Sequence, residues 1–334
     1  MSIRVIQPGL LTSVQDMGRY GFQKYGVIAS GAMDPFAHRT ANLLVGNEEA
    51  EATLEMTLKG AVIEFPEAAL ISICGGDLSP SVEGIPVPLW KPVYLKKGSI
   101  LHFGYCRSGA RAYLAIAGGW SVPAVMDSRS TYLRAGIGGY QGRGLRAGDE
   151  LACGEPTWLG RRIADQLRSQ ANGAAFTTAD WGAAREMLPA YSSAPVVRVM
   201  RGNQWDWFTE EGRRSFLSES YRVTPQSDRM GYRLDGPVLE QTERRELISE
   251  AVAFGTVQVP PEGKPIVLLA DRQTTGGYPK IAQVATVDLP LMAQTKPGEA
   301  LLFAEISREE AERLLMAREN EIRQLKTGIL LKCT

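Results

Sequence analysis

Two stretches, Ala61-Val62-Ile63-Glu64-Phe65-Pro66 and Thr256-Val257-Gln258-Val259-Pro260-Pro261, decide the fold, because each reads as a strand directly after a glycine. Both place polar residues between apolar ones, which is the pattern of a β-strand with one buried face. The prolines that follow end each run, since proline cannot donate a hydrogen bond to a sheet. The sequence therefore predicts one such strand in each half of the chain.

Further landmarks around these two stretches occur in the same order in both halves, and the offset between matched positions drifts from 194 to 200. This order indicates a duplicated domain, with chance similarity between β-rich segments as the alternative. The matched pairs are Arg4-Val5-Ile6 with Arg198-Val199-Met200, Ser30-Gly31-Ala32-Met33 with Ser227-Asp228-Arg229-Met230, Glu55 with Glu250, and Lys97-Gly98 with Pro297-Gly298.

The rest of each half also has a β pattern. Short apolar or alternating runs, such as 100–103, 113–116 and 266–269, are separated by Gly, Pro and Asp turns. Many short strands with polar turns are typical of barrels and sandwiches, so the fold class is predicted as mainly β. The predicted domains are 1–154 and 195–334. Segment 155–194, rich in Ala, Arg, Ser and Pro, is interpreted as the connection, with a possible short helix after Asp180.

Two helices carry clear end signals. Asp34 followed by Pro35 is a typical N-terminal cap, and Gly46 ends the predicted helix over 36–45. Near the C-terminus, Ser307 and Glu310 form a capping-box pattern. The helix behind it is predicted to stop near Gly328, with an apolar stripe made of Ala311, Leu315, Ile322 and Leu325.

The composition excludes several classes of partner. The 334 residues include 44% hydrophobic residues, and Lys plus Arg equals Asp plus Glu at 37 each. A formal net charge of zero gives no basic field for nucleic acid or anionic lipid. No apolar run approaches the roughly 18–20 residues that cross a bilayer. With no apolar leader at the N-terminus, we expect a cytoplasmic protein.

Cysteine and histidine usage predicts reduced thiols and no metal. The four cysteines are widely spaced and form no CxxC pair, so we expect free, mostly buried thiols. His38 and His102 lie in unrelated contexts, and a transition-metal site needs more nitrogen or sulfur ligands at recognisable spacing.

Two polar clusters mark the first half. Gln15, Asp16 and Arg19 follow one another closely between glycines, and together they can hold a planar amide or carboxylate. The alternative is a loop whose polar groups satisfy one another. Ser30 opens the second cluster, directly before the helix that Asp34 caps. Free N–H groups at a helix start favour anions, but capping alone also explains Asp34.

Two more clusters lie in the second half. Asp228, Arg229 and Tyr232 form a hydrogen-bonding group, for which an internal ion pair is the alternative. The longest cluster runs from Ala270 to Pro279, directly after the apolar strand 266–269, and forms a polar loop on a rigid support. Its Gly276-Gly277 pair fits neither a Walker A loop nor a dinucleotide fingerprint, so ATP is not assigned to this chain alone.

The clusters in this order resemble one family over nearly the whole chain, the biotin-dependent-carboxyltransferase-like or allophanate hydrolase subunit 2 group. That group includes subunits of bacterial 5-oxoprolinase and antagonists of KipI. The motifs that carry the resemblance are 14–19, 30–34, 41–47 with Leu54-Glu55, 139–143 with Gly148-Asp149, 228–234 and 274–279.

The resemblance implies two tandem cyclophilin-like β-barrels. It also implies a complex with the KipI-like B subunit and with the A subunit of 5-oxoprolinase, in which the three proteins cleave 5-oxo-L-proline to L-glutamate with ATP hydrolysis. The resemblance does not assign residue roles, so from the chemistry of the polar clusters we hypothesise that Arg19 and Asp271 are catalytic. The hypothesised substrate-binding residues are Gln15, Asp16, Ser30, Asp228, Arg229, Tyr232, Gln273, Thr274, Gly276, Gly277 and Tyr278.

Two other functions stay open at the level of sequence. One is a regulatory protein that binds and antagonises a KipI-like inhibitor of a sensor kinase. The other is a carboxyltransferase subunit of a urea- or amide-directed biotin enzyme. The chain contains no Met-Lys-Met biotin-attachment site, which favours the oxoprolinase subunit over the second alternative.

Overall fold

A computed structural model describes residues 1–243 and 245–333. The chain divides into two compact units. The first unit contains residues 1–19, 30–188 and the residues from Glu319 onward, and the second unit contains residues 20–29 and 189–318.

The first unit contains two six-stranded sheets, two complete α-helices and the part of the last helix from Glu319 onward. The elements are β1 Ser2–Gln7, β2 Leu11–Gln15, α1 Pro35–Leu44, β3 Thr53–Thr57, β4 Val62–Phe65, β5 Ala69–Asp77, β6 Ser81–Val82, β7 Ile85–Pro86, β8 Pro92–Leu95, β9 Ser99–His102, β10 Ser108–Ile116, β11 Glu150–Ala152, α2 Trp158–Ser169 and β12 Phe176–Thr178. The sheet orders are β11-β1-β4-β9-β6-β7 and β12-β8-β5-β10-β3-β2.

One hydrophobic core joins the two sheets of the first unit. Val5 and Ile63 come from one sheet, Leu54 and Ile71 come from the other, and all four side chains are fully buried in the same cluster. Alternate residues of each strand supply this core, as expected where one face of each sheet is covered.

The second unit contains a closed seven-stranded barrel and a separate two-stranded sheet. The elements are β13 Val196–Arg201, α3 Glu210–Ser218, β14 Tyr221–Val223, β15 Gly231–Asp235, β16 Glu250–Ala251, β17 Thr256–Gln258, β18 Ile266–Leu268, β19 Thr275–Gly276, β20 Lys280–Val284, α4 Leu289–Gln294 and β21 Ala300–Glu305. The barrel has the order β13-β20-β17-β18-β15-β14-β21, and the small sheet pairs β16 with β19. Within the barrel, β13 pairs antiparallel with β20 and parallel with β21. The last helix, α5 Arg308–Cys333, has residues in both units.

The mainly β prediction is confirmed, with a closed barrel in the second unit and few helices. The α1 prediction is also confirmed: the Asp34 carboxylate accepts the Ala37 N–H at 2.9 Å, and Gly46 follows with φ of 74°. At the start of α5, the Ser307 hydroxyl accepts the Glu310 N–H at 3.1 Å.

The predicted end of the last helix near Gly328 is wrong, because α5 continues to Cys333. Ile322, Ile329 and Cys333 are all buried, and their spacing of seven and four residues keeps them on one helical stripe. Burial of this stripe outweighs the roughly 1 kcal/mol by which a glycine weakens a helix interior.

The two stretches quoted first from the sequence take different neighbours in their sheets. The two quoted stretches do form strands, β4 and β17, but β4 pairs with β1 and β9, whereas β17 pairs with β18 and β20. The duplication inferred from the matched landmarks stays a prediction.

Segment 155–194 is more structured than the sequence interpretation of a connection. It contains α2 and β12, and β12 pairs with β8 through Phe176 and Leu95, so both elements lie in the first unit. After Asp180, the structure has a 3-10 turn at Arg185–Met187. Within the described ranges, no helix is both long and apolar enough to cross a membrane.

Candidate functional site

Asp16 holds one loop of the first unit in place. Its side chain is 6% exposed and lies just after strand β2. The carboxylate accepts hydrogen bonds from the Gly18 N–H at 2.8 Å and the Ser128 hydroxyl at 2.7 Å. It also accepts from the Ser130 hydroxyl and the Arg129 N–H. Four donors around one buried carboxylate make Asp16 the anchor of segment 128–130.

Arg19 anchors the same loop from the other end. Its guanidinium, 1% exposed, donates to the Val125 carbonyl at 2.9 Å and to the Ser130 carbonyl at 2.8 Å. Between these contacts, Met126 and Asp127 have φ of 52° and 59°, a conformation that costs energy in residues other than glycine. The predicted alternative of a self-satisfied loop therefore describes both Asp16 and Arg19, and a catalytic role for Arg19 stays a prediction.

Gln15 and Ser30 each keep a buried polar atom without a partner in the described part of the chain. The Gln15 amide donates to the Ser13 hydroxyl at 3.0 Å and to the Thr131 carbonyl at 3.2 Å, but its Oε1 has no partner. The Ser30 hydroxyl also has none, and Ser30 has φ of 55°. An unsatisfied buried group costs about 1–3 kcal/mol, so these two atoms are sites where a water or ligand would bind favourably.

A buried acid that the sequence analysis named only as a landmark, and not as a site residue, holds the segment after Ser30. The Glu55 carboxylate on β3 accepts the Met33 N–H at 2.9 Å and the Tyr113 hydroxyl at 2.8 Å. That hydroxyl also accepts the Asp34 N–H at 2.8 Å. Burial, with the neighbouring carboxylates of Glu55 and Asp34, raises the pKa of Tyr113 well above its usual value, so the phenol stays protonated.

His38 on α1 is predicted to make the first unit acid-sensitive. Burial lowers its pKa from 6.5 to about 4, although the charges of Asp16 and Glu55 act in the opposite direction, and Arg39 adds to the lowering. Its Nδ1 lies 2.9 Å from the Thr53 hydroxyl oxygen. His38 therefore takes up a proton at higher pH in the unfolded chain than in the folded one. Neutral, buried His38 contributes about 3 kcal/mol to the free energy of unfolding, which is fully present above pH 6.5 and is lost as the pH falls towards 4.

Urea unfolding of the wild type and of His38→Gln, compared from pH 7 to pH 4, measures this effect. Contributions from carboxylates common to both proteins cancel in the difference. We expect the wild type to lose stability more steeply over this range than the variant. Equal slopes would show that His38 does not control the acid response.

In the second unit, Arg229 and Asp271 form a buried ion pair. The Arg229 guanidinium donates from Nε to Oδ2 of Asp271 at 3.0 Å and from Nη2 to Oδ1 at 3.1 Å. Both side chains are 6% exposed, and the Asp271 N–H donates to the Arg229 carbonyl at 2.8 Å. This is the internal ion pair predicted as the alternative, and it fixes the start of the 271–279 loop.

Asp228 and Tyr232 also serve the local fold. The Asp228 carboxylate accepts the Met230 N–H at 2.8 Å, which closes the turn before β15. Tyr232 is 2% exposed, and its hydroxyl lies 3.5 Å from the Ala293 carbonyl. The structure therefore places both residues in the scaffold of the second unit, and their roles as substrate contacts stay predictions.

The end of the 271–279 loop borders a groove. Gln273 is exposed, Tyr278 is 43% exposed, and Gly277, Tyr278 and Pro279 form one wall of a groove of about 670 Å³. The other walls are formed by 238–241, 245–247, Pro261 and Gly263. Gly276 lies in β19 and Thr274 directly precedes this strand, where its carbonyl accepts the Val252 N–H at 3.2 Å.

Lys280 and Glu250, two residues that the sequence analysis did not select, support this loop. The Lys280 ammonium lies 2.8 Å from the Glu250 carboxylate, and its side chain is 8% exposed. This contact lowers the pKa of Glu250. A lysine directly after a polar glycine-rich loop was the available sequence signal, but only the barrel shows that it turns inward.

Among residues 1–243 and 245–333, no group of three or more His, Cys, Asp or Glu side chains is arranged to hold a metal ion. Cys74, Cys106, Cys153 and Cys333 are free thiols. The residues predicted to line one pocket thus fall into two sets, one in each unit. The shared pocket stays a prediction.

The fold and these clusters belong to a known class of domain. Residues 25–305 match the family described as carboxyltransferase domain, subdomain A and B, and the chain belongs to this family. The chain is 36% identical to the C subunit of 5-oxoprolinase from Haemophilus influenzae, over 93% of this chain and 92% of that protein. It is also 36% identical to the C subunit of 5-oxoprolinase from Escherichia coli, over 96% of both proteins. The predicted family resemblance is thereby confirmed.

The structure is similar to part of a much larger enzyme. It matches the crystal structure of the K. lactis urea amidolyase with a TM-score of 0.87 and 29% identity, over 97% of this chain and 20% of that one. The chain therefore spans about a fifth of urea amidolyase, but nearly the whole length of the two bacterial subunits.

Proposed function

We propose that this protein is a subunit of an ATP-dependent 5-oxoprolinase, which cleaves 5-oxo-L-proline to L-glutamate together with the KipI-like B subunit and the A subunit. The observation that carries the proposal is the match along nearly the full length of two proteins named as the C subunit of 5-oxoprolinase. The word subunit in those names supports the need for partner chains.

The chemistry explains why more than one chain is needed. A lactam is a resonance-stabilised amide, so its carbonyl carbon resists water. A partner subunit transfers the γ-phosphoryl group of ATP to the ring oxygen and releases ADP. Water then adds to the activated carbon, the ring C–N bond breaks, and the nitrogen takes a proton to become the α-amine. A second water hydrolyses the acyl phosphate to carboxylate and phosphate.

In this scheme the present chain holds the ring and stabilises charge that develops on oxygen. Preorganised hydrogen-bond donors are the strongest means of doing so. Gly277 and Tyr278 are the described residues best suited to this role, because both are at least partly exposed and form part of the groove wall; Thr274 precedes them in the same loop. The buried Arg229–Asp271 pair supports the loop from beneath.

Reconstitution tests the proposal. The chain is purified with its two partner subunits, and L-glutamate and ADP are measured with each protein, ATP or 5-oxo-L-proline left out in turn. We expect glutamate only when all five components are present, and ATP consumption that depends on 5-oxo-L-proline. Glutamate formation at the same rate without this chain would refute the proposal.

A carboxyltransferase subunit of a biotin enzyme is the second candidate, favoured by the family match and by the likeness to urea amidolyase. Avidin separates the two, because it sequesters biotin. Avidin is expected to leave 5-oxoproline cleavage unchanged, whereas a biotin-dependent activity would be abolished.

A further inference from the structure

A buried lysine clamps the loop that borders the groove of the second unit. Lys280 is 7% exposed, and its ammonium donates to Glu250 at 2.8 Å, to the Gly276 carbonyl at 3.3 Å and to the Tyr278 carbonyl at 3.5 Å. Gln204 completes the clamp: its amide nitrogen lies 3.4 Å from the Glu250 carboxylate, and its oxygen accepts the Lys280 N–H at 3.1 Å. The ammonium thus uses its three donors on one acid and two loop carbonyls.

The clamp sets the direction of one peptide group. A trans peptide is planar, and its N–H points opposite to its carbonyl. Because the Gly276 carbonyl faces Lys280, the Gly277 N–H points away from the lysine. The peptide after Tyr278 adds no donor, since Pro279 has no N–H. Of the two peptide groups whose carbonyls contact Lys280, only the one between Gly276 and Gly277 therefore has an N–H, and this N–H points away from the lysine.

On the side of the loop opposite Lys280 lies the groove described above. Gly277 forms part of its wall, whereas Lys280, Glu250 and Gly276 do not. No acceptor within the described ranges is found for the Gly277 N–H. A Cβ at position 277 would lie 3.2 Å from the Ser249 hydroxyl and 3.3 Å from the Leu247 carbonyl, so the close approach of these two groups favours glycine at this position.

We propose that the Gly277 N–H is a donor to an oxygen of the substrate, and that Lys280 is the positioning residue that aims it. The ligand class is a small lactam or carboxylate whose oxygen gains negative charge as the ring opens. This inference rests on the proposed function and assigns part of the oxygen-binding site to the groove. The amide acts without a proton transfer, as donors in oxyanion holes do.

The test uses the reconstituted three-protein complex with Lys280→Met, Lys280→Arg and, as the matched control, Lys264→Met. Lys264 lies in the same unit and pairs with Asp235 at 2.9 Å, but its side chain is 41% exposed. We expect Lys280→Met to lower kcat about 100-fold with less than a threefold change in KM, because the donor acts mainly in the transition state. Lys280→Arg is expected to recover part of the loss, and Lys264→Met to match the wild type.

A loss of kcat that is the same for Lys280→Arg and Lys280→Met would overturn the positioning role, and so would wild-type kcat in Lys280→Met. If Lys280→Met does not fold, Glu250→Gln takes its place, since it weakens the clamp while keeping its shape. We then expect about a tenfold lower kcat, and an unchanged kcat would overturn the proposal.

Hydrogen exchange separates this inference from the proposed function. In the wild-type complex, 5-oxo-L-proline is expected to protect the amides of 275–278 from exchange, and the protection is expected to be lost in Lys280→Met. No protection in the wild type would refute the oxygen site, even if the complex turns over. Protection without glutamate formation would retain the site and refute the proposed activity.

Discussion

Replacing Arg229 with alanine is expected to destabilise the second unit by about 3–5 kcal/mol, because the change leaves the Asp271 carboxylate buried without its partner. The two charged groups lie 3.0 Å apart and their side chains are 6% exposed, so little solvent reaches the pair in the folded unit. Hydrogen exchange of β15 and β18, the barrel strands that lie next to the two residues and pair with each other, measures the free energy of local opening.

The control for this ion pair lies in the same unit. Lys264 and Asp235 also form an ion pair at 2.9 Å, but their side chains are 41% and 67% exposed. Exposed pairs contribute about 0–1 kcal/mol, so Lys264→Ala is expected to have little effect. The double variant Arg229→Met with Asp271→Leu removes both charges and is expected to be more stable than Arg229→Ala. Equal losses in the two variants would show that the unpaired carboxylate is not the cause.

Local signals in the sequence predicted the elements better than their arrangement. Asp34, Pro35 and Gly46 define α1 correctly, because capping depends only on neighbouring backbone groups. Strand pairing depends on distant segments, so β4 and β17 look alike in sequence yet take different neighbours. The continuation of α5 past Gly328 is likewise set by tertiary burial of Ile329 and Cys333.

The candidate site residues were likewise predicted better in kind than in arrangement. The sequence located the polar clusters, but the inward or outward direction of each side chain follows from the fold. Arg19 and Asp271 are typical catalytic residue types, yet the structure shows both buried in internal contacts. Lys280 was not predicted as a site residue, because a single lysine is most often exposed. Its burial beneath the groove loop is visible only once the barrel is closed.

Asp16→Ala is expected to have the largest effect in the first unit. The substitution removes the acceptor of four hydrogen bonds, two from hydroxyls and two from backbone N–H groups. Hydrogen bonds to a charged group contribute about 1.5–3 kcal/mol each and are not additive when they share one acceptor. We therefore expect a loss of about 4 kcal/mol in the free energy of unfolding, measured by urea denaturation.

The loss of the Asp16 hydrogen bonds is expected to destabilise mainly the loop that they hold. Met126 and Asp127 hold positive φ angles only while both ends of their loop are tied, one by Asp16 and the other by Arg19. Exchange of the 125–131 amides is therefore expected to accelerate in Asp16→Ala more than exchange of the β5 and β10 amides in the core. Asp77→Ala is the matched control, since that carboxylate accepts the single Ser79 N–H at 2.7 Å, and its loss is expected to cost about 1 kcal/mol. A uniform acceleration across the unit, or equal costs for the two variants, would contradict the anchoring role of Asp16.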